Sequence, residues 1–303
     1  PRLRGVRLPQ TGGQRSMSVN VVALDVGGTS VKSALVTDGA VRGDIAQTRI
    51  DSQAGADVIL GTLAAIVQAH LSATTSLDGV AMGFPGPFEY ERGVSRIRGV
   101  EKFESIYGCN VGDALRRRLG MLDLNVRFRN DAEAAIVGEA RFGAGRGLHR
   151  LIGLTLGTGS GSAFLIGGVP QIGGPGVPPN GWIYPLLFEG TQADDVFSIC
   201  GLLGRCHAAE IAVDSVRAAA DLAHADNAVL RRIFAEFGRD LGVFMRPLAT
   251  AFGADGLVVL GGIANAFDLF GVAMQAEMAV PIRRGELGET AALLGAYDLF
   301  SQG

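Results

Sequence analysis

Only three cysteines stand among the 303 residues. That is too few for a disulfide framework and points to a reducing compartment, the cytoplasm. Charge is also sparse: Asp, Glu, Lys and Arg make up 19% of the chain, and the net charge is −3. A dedicated nucleic-acid binder usually carries a basic face, so no nucleic-acid partner is expected. No apolar run approaches the roughly 20 residues of a bilayer-spanning helix, so no membrane partner is expected. Residues 1–16 are basic and lack the apolar stretch of a signal peptide, and they read as a flexible leader before Met17.

Glycine, by contrast, is abundant. There are 45, roughly twice the average share. They gather at the ends of apolar runs, as tight turns that leave room for a ligand do. The apolar content of 48% allows a sizeable core.

Apolar runs at 20–26, 30–37 and 40–48 read as strands, the last two turned by Asp38-Gly39. A helix follows at about 55–71, with Leu60, Leu63, Ala64, Val67 and Leu71 on one face. A strand at 78–83 runs into the loop Gly83-Phe84-Pro85-Gly86-Pro87. After a long loop come a helix near 110–119, a strand near 124–129 and a helix from Asp131. A second strand–turn–strand unit starts at Leu151. Its segment LTLGTGSGSAFLI (154–166) aligns with LDVGGTSVKSALV (24–36) at an offset of 130 residues, about one domain length, which suggests a duplicated architecture. A Gly/Pro-rich loop occupies 170–190. Helices are expected at about 191–209, 214–224, 226–250 and 288–301, with a strand at 256–260. Strands alternating with helices mark an α/β protein.

Three glycine turns and one carboxylate carry the chemistry. Asp25-Val26-Gly27-Gly28-Thr29 delivers an acid to a turn whose N–H groups can face phosphate, with Asp25 able to hold Mg2+ directly or through water. An ordinary hairpin reads the same way. It is not a Walker loop, because the Gly-Lys-Ser/Thr ending is missing. Gly157-Thr158-Gly159-Ser160-Gly161 is a second such turn. It fails as a dinucleotide fingerprint, since Ser162 takes the third glycine's place and a strand follows. Leu260-Gly261-Gly262 ends a buried strand just before a helix, a shape suited to a base or ribose. Asp131, in Asn130-Asp131-Ala132-Glu133, is either a plain helix cap or a general base kept ionised by the helix N-terminus.

Together these segments resemble the ROK (repressor, open reading frame, kinase) family of sugar kinases and repressors, which includes bacterial glucokinases. The resemblance runs from about Val21 to Leu299. LDVGGTSVK and LTLGTGSGSAFLIGG resemble its two phosphate motifs, GFPGP its sugar-side loop, RNDAEAAIVGEARFGAGRG its catalytic segment, LVVLGGIAN its adenosine motif and GETAALLGAY its closing helix. It implies a two-lobed actin-like ATPase (ribonuclease H-like) fold with a duplicated βββαβαβα-type core. The lobes would be 17–129 with the closing helix 288–303, and 130–287, the latter usually making a homodimer. The resemblance implies ATP and Mg2+ as cofactors and Asp131 as catalytic base. It places Asp25, Gly27, Gly28, Thr29, Lys32, Gly157, Thr158, Gly159, Gly261 and Gly262 at the nucleotide, and Gly83, Pro85, Gly86, Asn130 and Asp131 at the acceptor.

Two departures matter. The family normally has Gly-Glu-x-Gly-His after the second phosphate motif, where Glu and His grip sugar hydroxyls. Here the matching register is Gly181-Trp182-Ile183-Tyr184-Pro185, with Glu189 nearby as a substitute and Trp182 facing substrate or packing as a core or interface aromatic. The zinc motif of many members is broken, leaving Cys200, Cys206 and His207, so no zinc is expected. His70, His149 and His224 have no recognisable partners. The expected activity is ATP-dependent phosphorylation of a sugar or sugar-like cyclitol other than glucose, with polyphosphate left open as donor. The alternatives are a non-catalytic sugar sensor and an ATP-binding pseudokinase. With some twenty residues before the first strand, no helix-turn-helix and no DNA binding are expected.

Overall fold

The computed structural model describes residues 18–74 and 76–301; the leader expected at 1–16 lies outside them. The first half runs through β1 (Asn20–Val26), β2 (Ser30–Thr37), β3 (Ala40–Arg49), α1 (Ala56–Leu71) and β4 (Gly79–Phe84). A small hairpin of β5 (Phe88–Glu89) and β6 (Val94–Ser95) interrupts the expected long loop. Then come α2 (Val111–Leu119), β7 (Val126–Asn130) and α3 (Asp131–Phe142). The second half begins with β8 (Arg150–Leu156), β9 (Ser160–Ile166) and β10 (Val169–Gln171). A hairpin of β11 (Leu187–Phe188) and β12 (Thr191–Gln192) leads into α4 (Ala193–Phe197), α5 (Ile199–Ala208), α6 (Val216–His224) and α7 (Ala228–Phe252). β13 (Gly256–Leu260), α8 (Phe267–Ala276), β14 (Ile282–Arg284) and α9 (Thr290–Ser301) complete it.

The two halves repeat one topology. Their sheets run β3-β2-β1-β4-β7 and β10-β9-β8-β13-β14. In each, three antiparallel strands are followed by two parallel ones reached through helices. β1 and β2 start at residues 20 and 30, and β8 and β9 at 150 and 160, which preserves the 130-residue offset of the sequence repeat.

Further segments depart from the sequence reading. The helix expected over 191–209 is broken at Ser198, which is extended (φ −100°, ψ 178°) while its hydroxyl accepts from the Gly201 N–H to open α5. A helix added straight through would leave that cap unused. β14 has no counterpart in the sequence reading, because its three residues, Ile-Arg-Arg, show no alternation. β10 likewise occupies the start of the expected 170–190 loop.

Each sheet is covered on its outer face by its own helices, α1 and α2 for the first and α4–α8 for the second. On the inner faces the helices are exchanged. α9, from the end of the chain, packs Leu293, Leu294 and Tyr297 on Val21, Ala23, Val36 and Ala81 of the first sheet. α3 packs Ile136 and Val137 on Leu151, Leu165 and Val258 of the second. α3 and α9 also pack against each other, and only glycine allows it. A Cβ on Gly138 would lie 1.9 Å from the Ala291 carbonyl oxygen, and one on Gly295 1.7 Å from that of Ala134. This contact fixes the start of α3 between the sheets.

Candidate active site

Three glycine turns end strands of these sheets. In the first, the Gly27 N–H donates to Ser30 O at 3.0 Å. The ladder places Asp25 directly opposite Lys32, so both side chains lie on one face of the sheet. Lys32 Nζ is paired at 2.8 Å with Glu289, at the start of the chain's last helical segment. In the second turn the Gly157 N–H donates to Gly159 O at 2.9 Å. Asp194 of α4 clamps it, its Oδ1 accepting from the Ser160 N–H (2.6 Å) and hydroxyl (3.0 Å). In the third, Gly261 has φ +93°, and a Cβ there would stand 2.4 Å from the carbonyl oxygen of Leu156, the residue before the second turn. A side chain would therefore part the second and third motifs.

Gly83, Gly86, Asn130 and Asp131, expected at the acceptor, lie together where β4 and β7 end. Parallel pairing sets Gly83 beside Arg129 and Phe84 beside Asn130. The helix cap is Asn130, whose Oδ1 accepts from the Glu133 N–H at 3.1 Å; the plain-cap reading of Asp131 is thus corrected by one residue. Asp131 opens the helix proper. Its Oδ1 accepts from the Ala132 N–H (2.9 Å) and from the Asn130 amide (3.0 Å). That amide also donates to Tyr90 Oη at 3.2 Å, and the Tyr90 hydroxyl donates to Phe84 O at 3.2 Å. A Cβ on Gly83 would lie 3.6 Å from Asp131 Cα, and one on Gly86 3.1 Å from Tyr90 Oη.

Electrostatics tie the two groups together. Burial raises the Asp131 carboxyl above the usual carboxylate range, opposed by the Ala132 N–H, the Lys102 charge and the Asn130 amide. Asp25 is pushed up to about 6, first by burial and then by the charge of Asp131, against the pull of Lys32. Two desolvated carboxyls within reach of each other suit a site awaiting a cation or a proton.

A cavity of about 390 Å³ touches Asp25, Lys32, Thr155, Gly261 and Glu289. A second, of about 360 Å³, opens between α6 and the residues after β13, lined by Val216, Ala220, His224 and Asn265. Gly262 lines both, so the two lie end to end.

The segment 181–183, expected to face the acceptor, is pinned rather than loose. The Ser162 hydroxyl donates to Gly181 O (2.6 Å) and accepts from the Ile183 N–H (3.0 Å), which fixes Trp182 between them. The Trp182 ring lies 5.7 Å from that of Tyr184. Glu189 sits at the exposed tip of the β11–β12 hairpin with φ 50°. No hydrogen bond or ion pair links it to Asn130 or Asp131. Cys200 is exposed and Cys206 buried, and His207 Nε2 is bonded to Val213 O at 3.1 Å. Among the described residues no three His, Cys, Asp or Glu side chains gather as a metal cluster. Two histidines without recognisable partners have them: His70 meets Ser33 Oγ at 2.9 Å and His224 meets Asp268 at 2.7 Å.

Sequence reasoning missed Tyr90, Lys102, Asp194 and Glu289. Asp194 left one usable signal, an acidic pair opening a helix. Tyr90 lies just four residues beyond Gly86 but carries no motif of its own, while Lys102 and Glu289 come from segments with no motif reading as part of the site.

The family profile described as ROK family matches residues 21–302. A glucokinase of Thermotoga maritima is 30% identical over 184 residues, 57% of this chain and 55% of that protein. The bifunctional enzyme NanE/NanK of Brucella melitensis is 26% identical over 302 residues, 92% of this chain and 53% of that protein. The chain thus spans about half the length of the curated relatives it matches. Among solved structures, a ROK family glucokinase from Streptomyces griseus in complex with glucose and AMPPNP superposes with a TM-score of 0.72 at 24% identity. It covers 94% of this chain and 100% of that one. The likeness identifies the fold as the two-lobed actin-like ATPase fold.

Proposed function

The chain belongs to the ROK family, and on that premise we propose that it transfers the γ-phosphoryl group of ATP to a hydroxyl of a sugar or sugar-like cyclitol. The observation that carries this reading is Asp131. It is the first residue of a helix, held by Ala132 and Asn130 through one oxygen, beside the glycine loop at Gly83 and within electrostatic reach of Asp25 at the phosphate turn. A base so placed can take the acceptor's proton while the turns at Gly27-Gly28-Thr29 and Gly157-Thr158-Gly159 hold phosphates on their N–H groups. Gly262, which lines both cavities, and Gly261, which lines the first, would pass the triphosphate on to the nucleoside.

Gly83, Pro85, Gly86, Asn130, Trp182 and Glu189 make up the proposed acceptor side. Asp25 fits Mg2+ as an oxygen donor whose raised proton affinity a divalent cation would offset, with phosphate oxygens and water completing the shell. When bound, Mg2+ neutralises phosphate charge. In this proposal the lobe boundary falls at 129/130, with the closing helix returning to the first lobe, and the protein acts in the cytoplasm as a homodimer. No helix among the described residues is long and apolar enough to cross a membrane. A panel of sugars and cyclitols with ATP·Mg2+, scored by ADP release, tests the function; no acceptor-dependent release across the panel would sink it.

Glucose should be a poor acceptor. Trp182 offers one N–H donor and Pro185 no side-chain polar atom, where a Glu and a His would pair with hydroxyls. Each missing hydrogen bond to a charged group weakens binding by about 1.5–3 kcal/mol. A steady-state Michaelis constant for glucose within about 1 μM to 1 mM would show that this loop reads the acceptor differently.

A further inference from the structure

The chain uses arginine for nearly every basic position and contains two lysines, Lys32 and Lys102. Both lie at the candidate phosphate site. Lys32 is committed to Glu289. Lys102 is not: among the described residues no carboxylate lies within ion-pair distance of it. An ammonium is a compact point charge suited to phosphate, whereas guanidinium is the usual choice for fixed carboxylate pairs.

Lys102 is held in an unusual way. It lies between two non-glycine residues in the left-handed region, Glu101 and Phe103, both at φ 56°. Such backbone persists only where its surroundings over-determine it, and it gathers at functional sites. Here the restraints are explicit. The Glu104 carboxylate accepts from the N–H groups of Val100 and Glu101, each at 3.0 Å. The Phe103 N–H donates to Ser52 O at 2.6 Å. The buried Phe103 ring packs 5.6 Å from that of Phe84, the last residue of β4.

From this base the side chain extends over the first phosphate turn. A Cβ built on Gly28 would lie 3.6 Å from Lys102 Cδ, with Ser52 Oγ next at 3.8 Å. The charge of its ammonium also acts on the Asp131 carboxyl. The lysine thus lies against the turn that would hold the donor, and its charge reaches the carboxylate that would take the acceptor's proton.

We propose that Lys102 is a catalytic residue whose ammonium contacts the γ-phosphoryl group as it passes from nucleotide to acceptor. The proposal rests on the kinase reading given above. In that step the acceptor oxygen forms its bond to the γ-phosphorus, and the bond from that phosphorus to the β,γ-bridging oxygen breaks. ADP leaves with the electron pair, and the hydroxyl proton passes to Asp131. The Lys102 ammonium balances charge on the equatorial oxygens.

The test is nucleotide binding without acceptor, by titration calorimetry, on wild type, Lys102→Met and Lys102→Arg. AMPPNP·Mg2+ carries the third phosphate and ADP·Mg2+ does not. In Lys102→Met, AMPPNP should bind about 10- to 100-fold more weakly, on the scale of one lost charged hydrogen bond, with ADP within about twofold of wild type. Lys102→Arg should recover part of that difference. Lys102 is exposed, so its replacement spares the core. An unchanged ratio of AMPPNP to ADP affinity overturns the role of Lys102 and leaves the kinase reading standing. Wild type that binds neither nucleotide overturns both.

Discussion

Asp131→Ala should lower turnover by about a hundred- to ten-thousandfold, the usual worth of a general base. Nucleotide affinity and thermal unfolding should stay close to wild type. The cap that starts α3 belongs to Asn130, so removing the Asp131 carboxyl leaves the helix N-terminus bonded. The Asn130 amide keeps its second acceptor, Tyr90 Oη. The effect should therefore fall on the reaction and spare the fold. The same carboxyl sets the acid side of the pH profile. Burial raises its proton affinity, and a base works only when ionised. The rate should then fall, as pH drops, closer to neutrality than for an exposed carboxylate near 4. Near-normal turnover in the alanine variant, on an acceptor found in the panel, would remove Asp131 from the base role.

Gly295→Val should cost the protein its stable fold. The Cβ position at Gly295 is 1.7 Å from Ala134 O, 2.6 Å from Ala134 C and 2.7 Å from the Gly138 nitrogen. All three are backbone atoms, and no side chain can swing aside. The substitution must part α3 from α9, which opens the inner faces of both sheets. Overpacking of a flexible core costs about 1–3 kcal/mol. Against backbone the loss should be at least about 3 kcal/mol, a large part of the roughly 5–15 kcal/mol that a domain has. Gly204→Ala is the matched control: it lies in α5, and a Cβ there meets nothing within 4 Å. Denaturant midpoints compare them. A valine variant as stable as the alanine control would mean that the two helices can slide apart at little cost.

The sequence made much of this architecture readable because the signals were local. β1, β2, β8 and β9 are short apolar runs joined by glycine turns, and their repeat at 130 residues survives in the ladders. The helix start at Asp131 was readable from the polar run Asn130-Asp131, although the cap itself falls on Asn130. The unread parts depend on tertiary proximity. Asp194 reaches the second phosphate turn across 34 residues. Tyr90 reaches Asn130 across 40. Lys102 comes to Gly28 from a loop beyond the β5–β6 hairpin. The break at Ser198 was hidden because its flanks are both good helix, and only the cap geometry separates them. β14 gains its place from pairing with β13 rather than from any pattern of its own.

The exchange of α3 and α9 also has a bearing on how the chain matures. During synthesis β1, β2 and β4 leave the ribosome early, yet the helix that covers Val21, Ala23, Val36 and Ala81 follows every strand of the second sheet. The first sheet can pair its strands and receive α1 and α2 on one side, but its other side stays apolar and open until residues 290–301 arrive. Contacts between such distant segments form slowly, because a long loop must close first. A nascent chain in this state offers a ready surface for chaperones or for another unfinished copy. Until residues 290–301 dock, the inner face of the first sheet therefore has no cover, whereas that of the second can already be covered by α3.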